Sequence, residues 1–315
     1  MNTGEIDLAV TIGSLRLRNP VMVASGVFGY GEEYEPLLDI RRLGAIITKG
    51  ISLKPSSGNP PPRIIETPSG MLNAIGLHNV GYDVFVREKL PFLKKFDTPV
   101  IVNFYGTSVE EYTELARRLS DIEGIAGLEA NISCPNIRQG GMCFGTDADM
   151  AHAITRALRK TTRLPLIIKL TPNVTSVAAI AKSVAEAGAD AVALTNTFTG
   201  MVVDISTCRP VLANITGGLS GPAIRPISLR MVWEAVQNVA IPVIGIGGIM
   251  DATDALQYLI TGATALQVGT ALFTNPRSPE LILDGIEQYV RERNCSTITR
   301  IIGCLKTNTA HDEKT

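Results

Sequence analysis

The sequence predicts an α/β protein whose fold is a (β/α)8 TIM barrel with inserted loops at the C-terminal face of the strands. Three observations predict this fold. Short apolar, β-branched segments recur eight times, helical patterns lie between them, and glycine stands between predicted helix and strand at three places. Eight strands, each followed by a helix, describe such a barrel, and 315 residues exceed its typical ~250 by enough for insertions. An open doubly wound sheet is the alternative.

The eight predicted strands are short and uniformly apolar. An amphipathic sheet face would show polar alternation, so these segments fit parallel strands that are covered on both faces. The predicted strands are Pro20–Ser25, Ala45–Gly50, Pro99–Asn103, Gly127–Ser133, Pro165–Leu170, Ala191–Asn196, Pro242–Gly247 and Ala265–Gly269.

The helix after the third strand has the clearest start, because Ser108 is a favoured N-cap and Glu111 completes a capping box. Further helices are predicted at 147–160, 175–187, 225–239, 251–261 and 279–291, the last with Pro279 at its first position. Gly44, Gly188 and Gly262 each separate a helix from the next strand, and we expect them to supply left-handed caps.

Composition favours one domain, residues 1–315, with a short polar C-terminal tail at about 307–315. Hydrophobic residues make up 45% of the chain and charged residues 19%, with a net charge of −1. No Lys/Arg cluster suggests nucleic-acid binding, and no apolar run reaches the ~18 residues of a membrane span. We therefore expect a soluble, cytoplasmic protein that binds neither nucleic acid nor a membrane.

The five cysteines are an odd number and widely spread, which argues against a disulfide framework. The sequence has no C-x-x-C motif, and its three histidines lie far apart, so no metal site is predicted.

Three connections are longer than the others: 51–80 after the second strand, 134–146 after the fourth and 197–224 after the sixth. On a barrel these loops would cluster at the catalytic face. Polar residues also end almost every strand, and several of them together would be costly to bury without a polar ligand. They are Ser25, Lys49, Asn103, Asn131, Lys169, Asn196, Thr197 and Thr270.

Glycines follow the seventh and eighth strands at Gly247, Gly248 and Gly269. In this fold those two loops commonly bind a phosphate through backbone N–H groups. The glycines could equally serve only to permit tight turns. A phosphorylated ligand is the functional interpretation.

Cys134 lies just past a strand, before Pro135 and a glycine-rich loop that is suited to cover the cavity. Lys49 and Lys169 permit two chemistries, a Schiff base with a carbonyl substrate or compensation of an anionic ligand's charge. A phosphate-ligand sensor without catalysis is the non-enzyme alternative. The residues alone leave these possibilities open.

The motifs resemble those of class 1 dihydroorotate dehydrogenase, and the resemblance spans nearly the whole chain. The membrane-associated class differs, because it carries serine at the base position and an N-terminal extension. The matching motifs are Ala24-Ser25-Gly26, Thr48-Lys49-Gly50, Gly58-Asn59-Pro60, Asn73-Ala74-Ile75-Gly76-Leu77, Asn131 to Asn136, Lys169-Leu170, Thr195-Asn196-Thr197, Ser220-Gly221-Pro222, Gly247-Gly248 and Gly269-Thr270.

Within class 1, the segments 136–141, 59–63 and 220–224 are similar to the NAD-linked type 1B catalytic subunit. The resemblance implies one FMN per chain, and a partner electron-transfer subunit that carries FAD and a [2Fe-2S] cluster and reduces NAD+. It further implies a homodimer of this chain within a heterotetramer. The alternative is a type 1A-like enzyme that uses fumarate as acceptor.

The resemblance implies oxidation of (S)-dihydroorotate to orotate in pyrimidine biosynthesis, with Cys134 as the base at C5 and hydride transfer from C6 to the flavin N5. It implies FMN contacts from Ser25, Lys49, Gly50, Asn103, Asn131, Lys169, Thr195, Gly221, Gly247, Gly248, Gly269 and Thr270, with only the backbone expected at Thr195. It implies substrate contacts from Lys49, Asn73, Ala74, Ile75, Gly76, Leu77, Asn131, Asn196 and Thr197.

Overall fold

The computed structural model describes residues 6–133, 138–139 and 142–307, of which 138–139 and 142–143 are described by their backbone alone. In this part of the chain, eight parallel strands close into a barrel in chain order, because the eighth pairs with the first through Leu266 and Val21. The strands are Val21–Val23, Ala45–Ile47, Val100–Phe104, Gly127–Asn131, Leu166–Lys169, Ala191–Leu194, Val243–Ile246 and Ala265–Val268.

All eight predicted strands are confirmed, and the closed barrel excludes the open sheet. Every residue of these strands is buried, as expected for strands that are covered inside and outside. Seven of the strands end one to three residues earlier than predicted, because the pairing between strands stops before the loop residues at the mouth of the barrel.

Helices follow the strands with two departures from the prediction. A 3-10 turn, Ile40–Arg42, replaces the helix after the first strand, and the helix after the second strand contains one π-helical turn, Phe85–Lys89. The α-helices are Gly81–Val84, Leu90–Leu93, Val109–Ser120, Ala148–Thr161, Val177–Glu186, Arg225–Val236, Ala252–Thr261, Ala271–Thr274 and Ser278–Glu292. Further 3-10 turns are Pro222–Ile224 and Ile298–Arg300.

The predicted helix caps are largely confirmed. Ser108 Oγ accepts a hydrogen bond from Glu111 N at 3.3 Å, but the Glu111 carboxylate accepts from Thr107 N at 2.7 Å instead of from Ser108 N. The second hydrogen bond of the capping box therefore goes to the residue before the N-cap. Pro279 is the second residue of its helix, because that helix begins at Ser278.

Two of the three predicted left-handed caps are present. Gly188 has φ of +100° and Gly262 has φ of +117°, where a side chain would be strained. The prediction was wrong for Gly44, which does not have a positive φ. There a Cβ would lie 2.2 Å from the Asn19 carbonyl oxygen, so close backbone approach requires the glycine.

An antiparallel sheet of four strands, which the sequence did not predict, is built from two of the long insertions. Its order is Phe198–Met201, Thr216–Ser220, Gly70–Asn73 and Ile64–Thr67. The described residues also form three short hairpins: Val10–Ile12 with Leu15–Leu17, Arg138–Gln139 with Met142–Cys143, and Val203–Asp204 with Arg209–Pro210. The insertions 51–80 and 197–224 are thus one structural unit, which pairs strands far apart in sequence.

No helix within 6–133 or 142–307 is long and apolar enough to cross a membrane. The boundary of a single domain, 1–315, stays a prediction, and most of the predicted tail, 308–315, lies outside the described residues.

Candidate active site

Lys169, at the end of the fifth barrel strand, lies almost completely buried at the mouth of the barrel. Its Nζ donates to Ser25 Oγ at 3.0 Å and to Gln267 Oε1 at 3.3 Å, and it lies 3.5 Å from Glu129 Oε1. The ammonium is therefore held by the first, fourth and eighth strands.

Glu129 is the centre of this buried polar cluster. Its Oε1 accepts from Asn103 Nδ2 at 2.7 Å, and its Oε2 accepts from Gln267 Nε2. Asn103, Glu129 and Gln267 are all buried inside the barrel, each within a strand of apolar residues. Sequence reasoning found Asn103 at a strand end and missed the other two, although Gln267 is the single polar residue of its strand and Glu129 is the single charged residue of its strand.

A second polar cluster joins the fourth and sixth strands. Asn196 Nδ2 lies 3.5 Å from Asn131 Oδ1 and donates to Ser133 Oγ, while Ser133 Oγ and N both donate to Asn131 Oδ1, the backbone bond at 3.2 Å. Asn196 Oδ1 in turn accepts from Thr197 N at 2.9 Å. The structure thus brings together three predicted site residues. Cys134, the predicted base, follows Ser133 directly and lies outside the described residues.

Lys49 occupies the rim of the mouth in a half-buried position. Burial lowers the pKa of its ammonium, and the positive charge of Arg63 lowers it further. Among the described residues we find no hydrogen bond or ion pair to Lys49 Nζ. A cavity of about 570 Å³ opens beside it, lined by Gly26, Tyr30, His78 and Phe273 among others. Lys49 is therefore a cation next to open space.

The predicted substrate segment 73–77 extends from the inserted sheet. Asn73 Nδ2 donates to Gly218 O at 3.3 Å in the neighbouring strand, and Asn59 Nδ2 donates to Ala74 O at 2.9 Å. Asn59 N also donates to Ile75 O at 3.0 Å. Leu77 has φ of +58°, an uncommon value for a residue with a side chain. The whole segment is therefore held by side-chain and backbone contacts.

Asn79 and Tyr105, which sequence reasoning also missed, hold the end of that segment. Asn79 Nδ2 donates to Leu77 O at 2.8 Å and to Tyr105 OH at 2.8 Å, and Tyr105 OH donates to Leu77 O at 3.0 Å. Asn79 Oδ1 accepts from Gly81 N at 2.8 Å. The local signal for this turn is Asn79 two residues before a glycine, a pattern typical of an Asx turn.

The loop after the seventh strand has the backbone that the glycine pattern predicts. Gly247 and Gly248 have φ of +127° and +66°, and a Cβ on either would collide with Ser228 or Arg225. Gly269 differs, because a Cβ there would make only ordinary contacts, 3.4 Å from Ala24 Cβ and 3.7 Å from Val27 Cγ2. Its neighbour Thr270 donates to Ser220 Oγ at 2.9 Å, directly before the short helix Ala271–Thr274.

The remaining predicted residues are distributed around this mouth. A Cβ on Gly50 would lie 2.6 Å from Asn103 Oδ1, and one on Gly221, which has φ of +98°, would lie 2.8 Å from Gly70 Cα. Thr195 Oγ1 lies 2.8 Å from Ser228 Oγ on the following helix, so its side chain is engaged away from the mouth. Its backbone N–H donates to Ile246 O at 2.9 Å, so a backbone contact to a ligand would come from its carbonyl oxygen.

The chain matches the dihydroorotate dehydrogenase family model over residues 7–290. The chain belongs to the dihydroorotate dehydrogenase family. Membership implies a flavin cofactor, for which the barrel mouth offers two lysines, amide side chains and glycine loops.

Curated relatives match over nearly their whole length. The chain is 58% identical to a protein of Geotalea daltonii over 300 residues, and this matched region covers 95% of this chain and 98% of the relative. It is 56% identical over 304 residues to one of Geotalea uraniireducens, with 96% and 100% covered. It is 54% identical over 300 residues to one of Geobacter sulfurreducens, with 95% and 98% covered. Each is named dihydroorotate dehydrogenase B (NAD(+)), catalytic subunit, and such a name implies a partner subunit.

Proposed function

We propose that this chain is the catalytic subunit of an NAD-linked dihydroorotate dehydrogenase, which oxidises (S)-dihydroorotate to orotate in pyrimidine biosynthesis. The observation that carries the proposal lies at the mouth of a barrel of this family, where Lys169 pairs in register with Asn131 on the neighbouring strand and Asn196 contacts Asn131 and Ser133. Lys49 follows the second strand at the same end of the barrel and lines the adjacent cavity. This set offers cations for an anionic cofactor and a carboxylate substrate, and amides for a pyrimidine ring.

The residues present fit FMN as the flavin. Gly269 is the supporting observation, since neither its φ nor its protein neighbours require a glycine, whereas a phosphate against the backbone would. Gly247 and Gly248 follow the seventh strand, which pairs with the eighth strand that precedes Gly269. Backbone N–H groups of these two loops would hold the phosphate. The remaining contacts to FMN are assigned to Ser25, Lys49, Gly50, Asn103, Asn131, Lys169, Thr195, Gly221 and Thr270.

When bound, FMN supplies an acceptor at N5 for the hydride that leaves C6 of dihydroorotate. Cys134 takes the proton from C5, so that the C5–C6 bond becomes a double bond and two electrons leave the substrate. Lys49 offsets the substrate carboxylate, and Lys169 offsets negative charge on the cofactor. Asn73, Asn131, Asn196 and Thr197 orient the pyrimidine together with the backbone of 74–77.

The electrons leave the chain to a partner subunit, to which we assign FAD, a [2Fe-2S] cluster and the reduction of NAD+. The names of the curated relatives support this acceptor over fumarate. We further propose a homodimer of this chain within a heterotetramer, located in the cytoplasm.

The test is anaerobic addition of (S)-dihydroorotate to the FMN-loaded chain, followed by visible absorbance. We expect the flavin band to bleach with (S)-dihydroorotate and to persist with the (R) enantiomer, the matched control. A flavin that stays oxidised with either enantiomer would refute the proposal. NAD+ and fumarate are then offered separately. We expect neither to reoxidise the flavin efficiently until the partner subunit is added, after which NAD+ should. Efficient turnover with fumarate by the isolated chain would instead support the type 1A-like alternative.

A further inference from the structure

Glu129 is a buried carboxylate that the proposed reaction does not use. It has no exposed surface, and the register pairs it with Asn103 on one side and Ile167 on the other. Because Lys169 pairs with Asn131, Glu129 lies two residues deeper in the barrel than the ammonium that it contacts. It therefore lies beneath the mouth, on the interior side of Lys169.

A carboxylate at this depth is costly unless every oxygen has a partner. Both Glu129 oxygens do: Oε1 meets Asn103 Nδ2 and Lys169 Nζ, and Oε2 meets Gln267 Nε2. Apolar branched residues ordinarily fill this layer of a barrel and would avoid the cost. The local fold therefore does not need a carboxylate, and the group that benefits from it is Lys169.

The orientation of the Gln267 amide also depends on Glu129. Because Gln267 Nε2 donates to Glu129, its Oε1 is turned toward Lys169 Nζ at 3.3 Å. Two of the three acceptors around the ammonium, Glu129 and Gln267, thus lie on the interior side, and the third is Ser25 Oγ at 3.0 Å. This arrangement fixes both the position and the net charge of the Lys169 site.

We propose that Glu129 is a positioning residue that holds Lys169 against the flavin and, through its negative charge, limits how strongly Lys169 stabilises the reduced cofactor. The inference rests on the proposed function, since it places FMN beside Lys169. Reduction adds negative charge to the flavin, which Lys169 favours and Glu129 opposes. Neutralising Glu129 should therefore raise the flavin midpoint potential.

The experiment compares the FMN-loaded wild type with Glu129→Gln, a substitution of nearly equal shape. The midpoint potential is measured by anaerobic reduction with dithionite against a reference dye, which needs no dihydroorotate. We expect at least a tenfold change in the ratio of reduced to oxidised flavin at a fixed potential, equivalent to about +30 mV for two electrons. FMN affinity is measured in parallel by the fluorescence of released FMN.

Glu280→Gln is the matched control, because Glu280 is also buried and paired, with Arg277 at 3.1 Å, but belongs to the helix Ser278–Glu292. Glu280→Gln should lower stability, but the ratio of reduced to oxidised flavin at the same fixed potential should change less than twofold. If the ratio of reduced to oxidised flavin in Glu129→Gln, measured at the same potential with FMN bound, lies within twofold of the wild-type ratio, the inference is overturned. Bleaching of the wild type by dihydroorotate tests the proposed function separately.

Should Glu129→Gln fail to fold, Glu129→Asp decides. Aspartate keeps the charge but is one methylene shorter, so it cannot reach Gln267 and Lys169 together. We expect the ratio of reduced to oxidised flavin at a fixed potential to stay within twofold of wild type. Single-turnover reduction of the flavin by dihydroorotate should slow about tenfold. An unchanged rate would show that Glu129 has only a structural role and would overturn the inference.

Discussion

Replacing Asn79 with alanine should weaken both the fold and the binding of dihydroorotate. The Asn79 side chain is buried and makes three hydrogen bonds of 2.8 Å, to Leu77 O, Tyr105 OH and Gly81 N, and longer ones to Ser52 Oγ at 3.0 Å and Ser52 N at 3.3 Å. Alanine removes all of them at once, and the three shortest contribute most of the stability. The segment that ends at Leu77 would lose the side chain that links it to the following helix.

The magnitude follows from these contacts. At about 1 kcal/mol of net stability for each hydrogen bond, Asn79→Ala should lower the free energy of unfolding by ~3 kcal/mol. A chain of this size loses about 2 °C of Tm for each kcal/mol, so the expected shift is roughly 6 °C. If 74–77 contacts substrate, KM for dihydroorotate should rise about tenfold with kcat within about threefold, since ordering of the bound segment is what is lost.

Thermal unfolding and steady-state kinetics of the FMN-loaded chain measure both effects. Asn79→Asp is the informative partner variant, because it keeps the acceptor for Gly81 N and loses both donors. The oxygen that replaces Nδ2 would lie against the Leu77 carbonyl oxygen in a buried site, so this variant should lower Tm at least as far as alanine and should also raise KM. Asn238→Ala, which removes one exposed hydrogen bond to Glu234 O, is the surface control. A lower Tm with unchanged KM would refute the assignment of 74–77 to substrate binding.

Three further predictions concern the mouth itself. Cys134→Ser should retain FMN but slow its reduction by dihydroorotate by orders of magnitude, because an alcohol ionises far less readily near neutral pH than a thiol of pKa ~8.5; unchanged stopped-flow kinetics would reject the base. Because the pKa of Lys49 is lowered, its positive charge is lost as pH rises at a pH below the usual ~10.4, and kcat/KM should fall in that pH range. Arg63→Gln should move that alkaline limb to higher pH, and an unmoved limb would contradict this. Gly269→Ala should leave Tm within about 2 °C but weaken FMN binding at least tenfold. Gly245→Ala, whose Cβ would lie 2.6 Å from Tyr258 Cδ1, should instead lower Tm, and equal behaviour of the two variants would count against the phosphate site.

The barrel could be predicted from the sequence because each of its strands is buried on both faces. Burial of this kind leaves a local mark, a short apolar run such as Ala45–Ile47 or Ala191–Leu194. The polar residue that follows such a run marks the mouth. Ser25, Asn131, Lys169 and Asn196 were found in this way, because the carboxyl ends of parallel strands meet at one face.

The inserted sheet could not be predicted, because its strands carry no comparable mark. Thr216–Ser220 contains two glycines and is only partly buried, and it pairs with Gly70–Asn73 through Leu219 and Leu72. Nothing near either strand in sequence indicates the partner, since strand propensity depends on the neighbours that the fold supplies.

The barrel, its eight strands and the polar residues at their ends could be inferred from the sequence alone, because these depend on burial and on residues that are close along the chain. What those residues contact depends on the folded chain. Glu129 and Gln267 are 138 residues apart in sequence, and the hydrogen bond between them turns the Gln267 side-chain oxygen toward Lys169 Nζ. Such contacts are set by the closure of the barrel, which brings distant strands side by side.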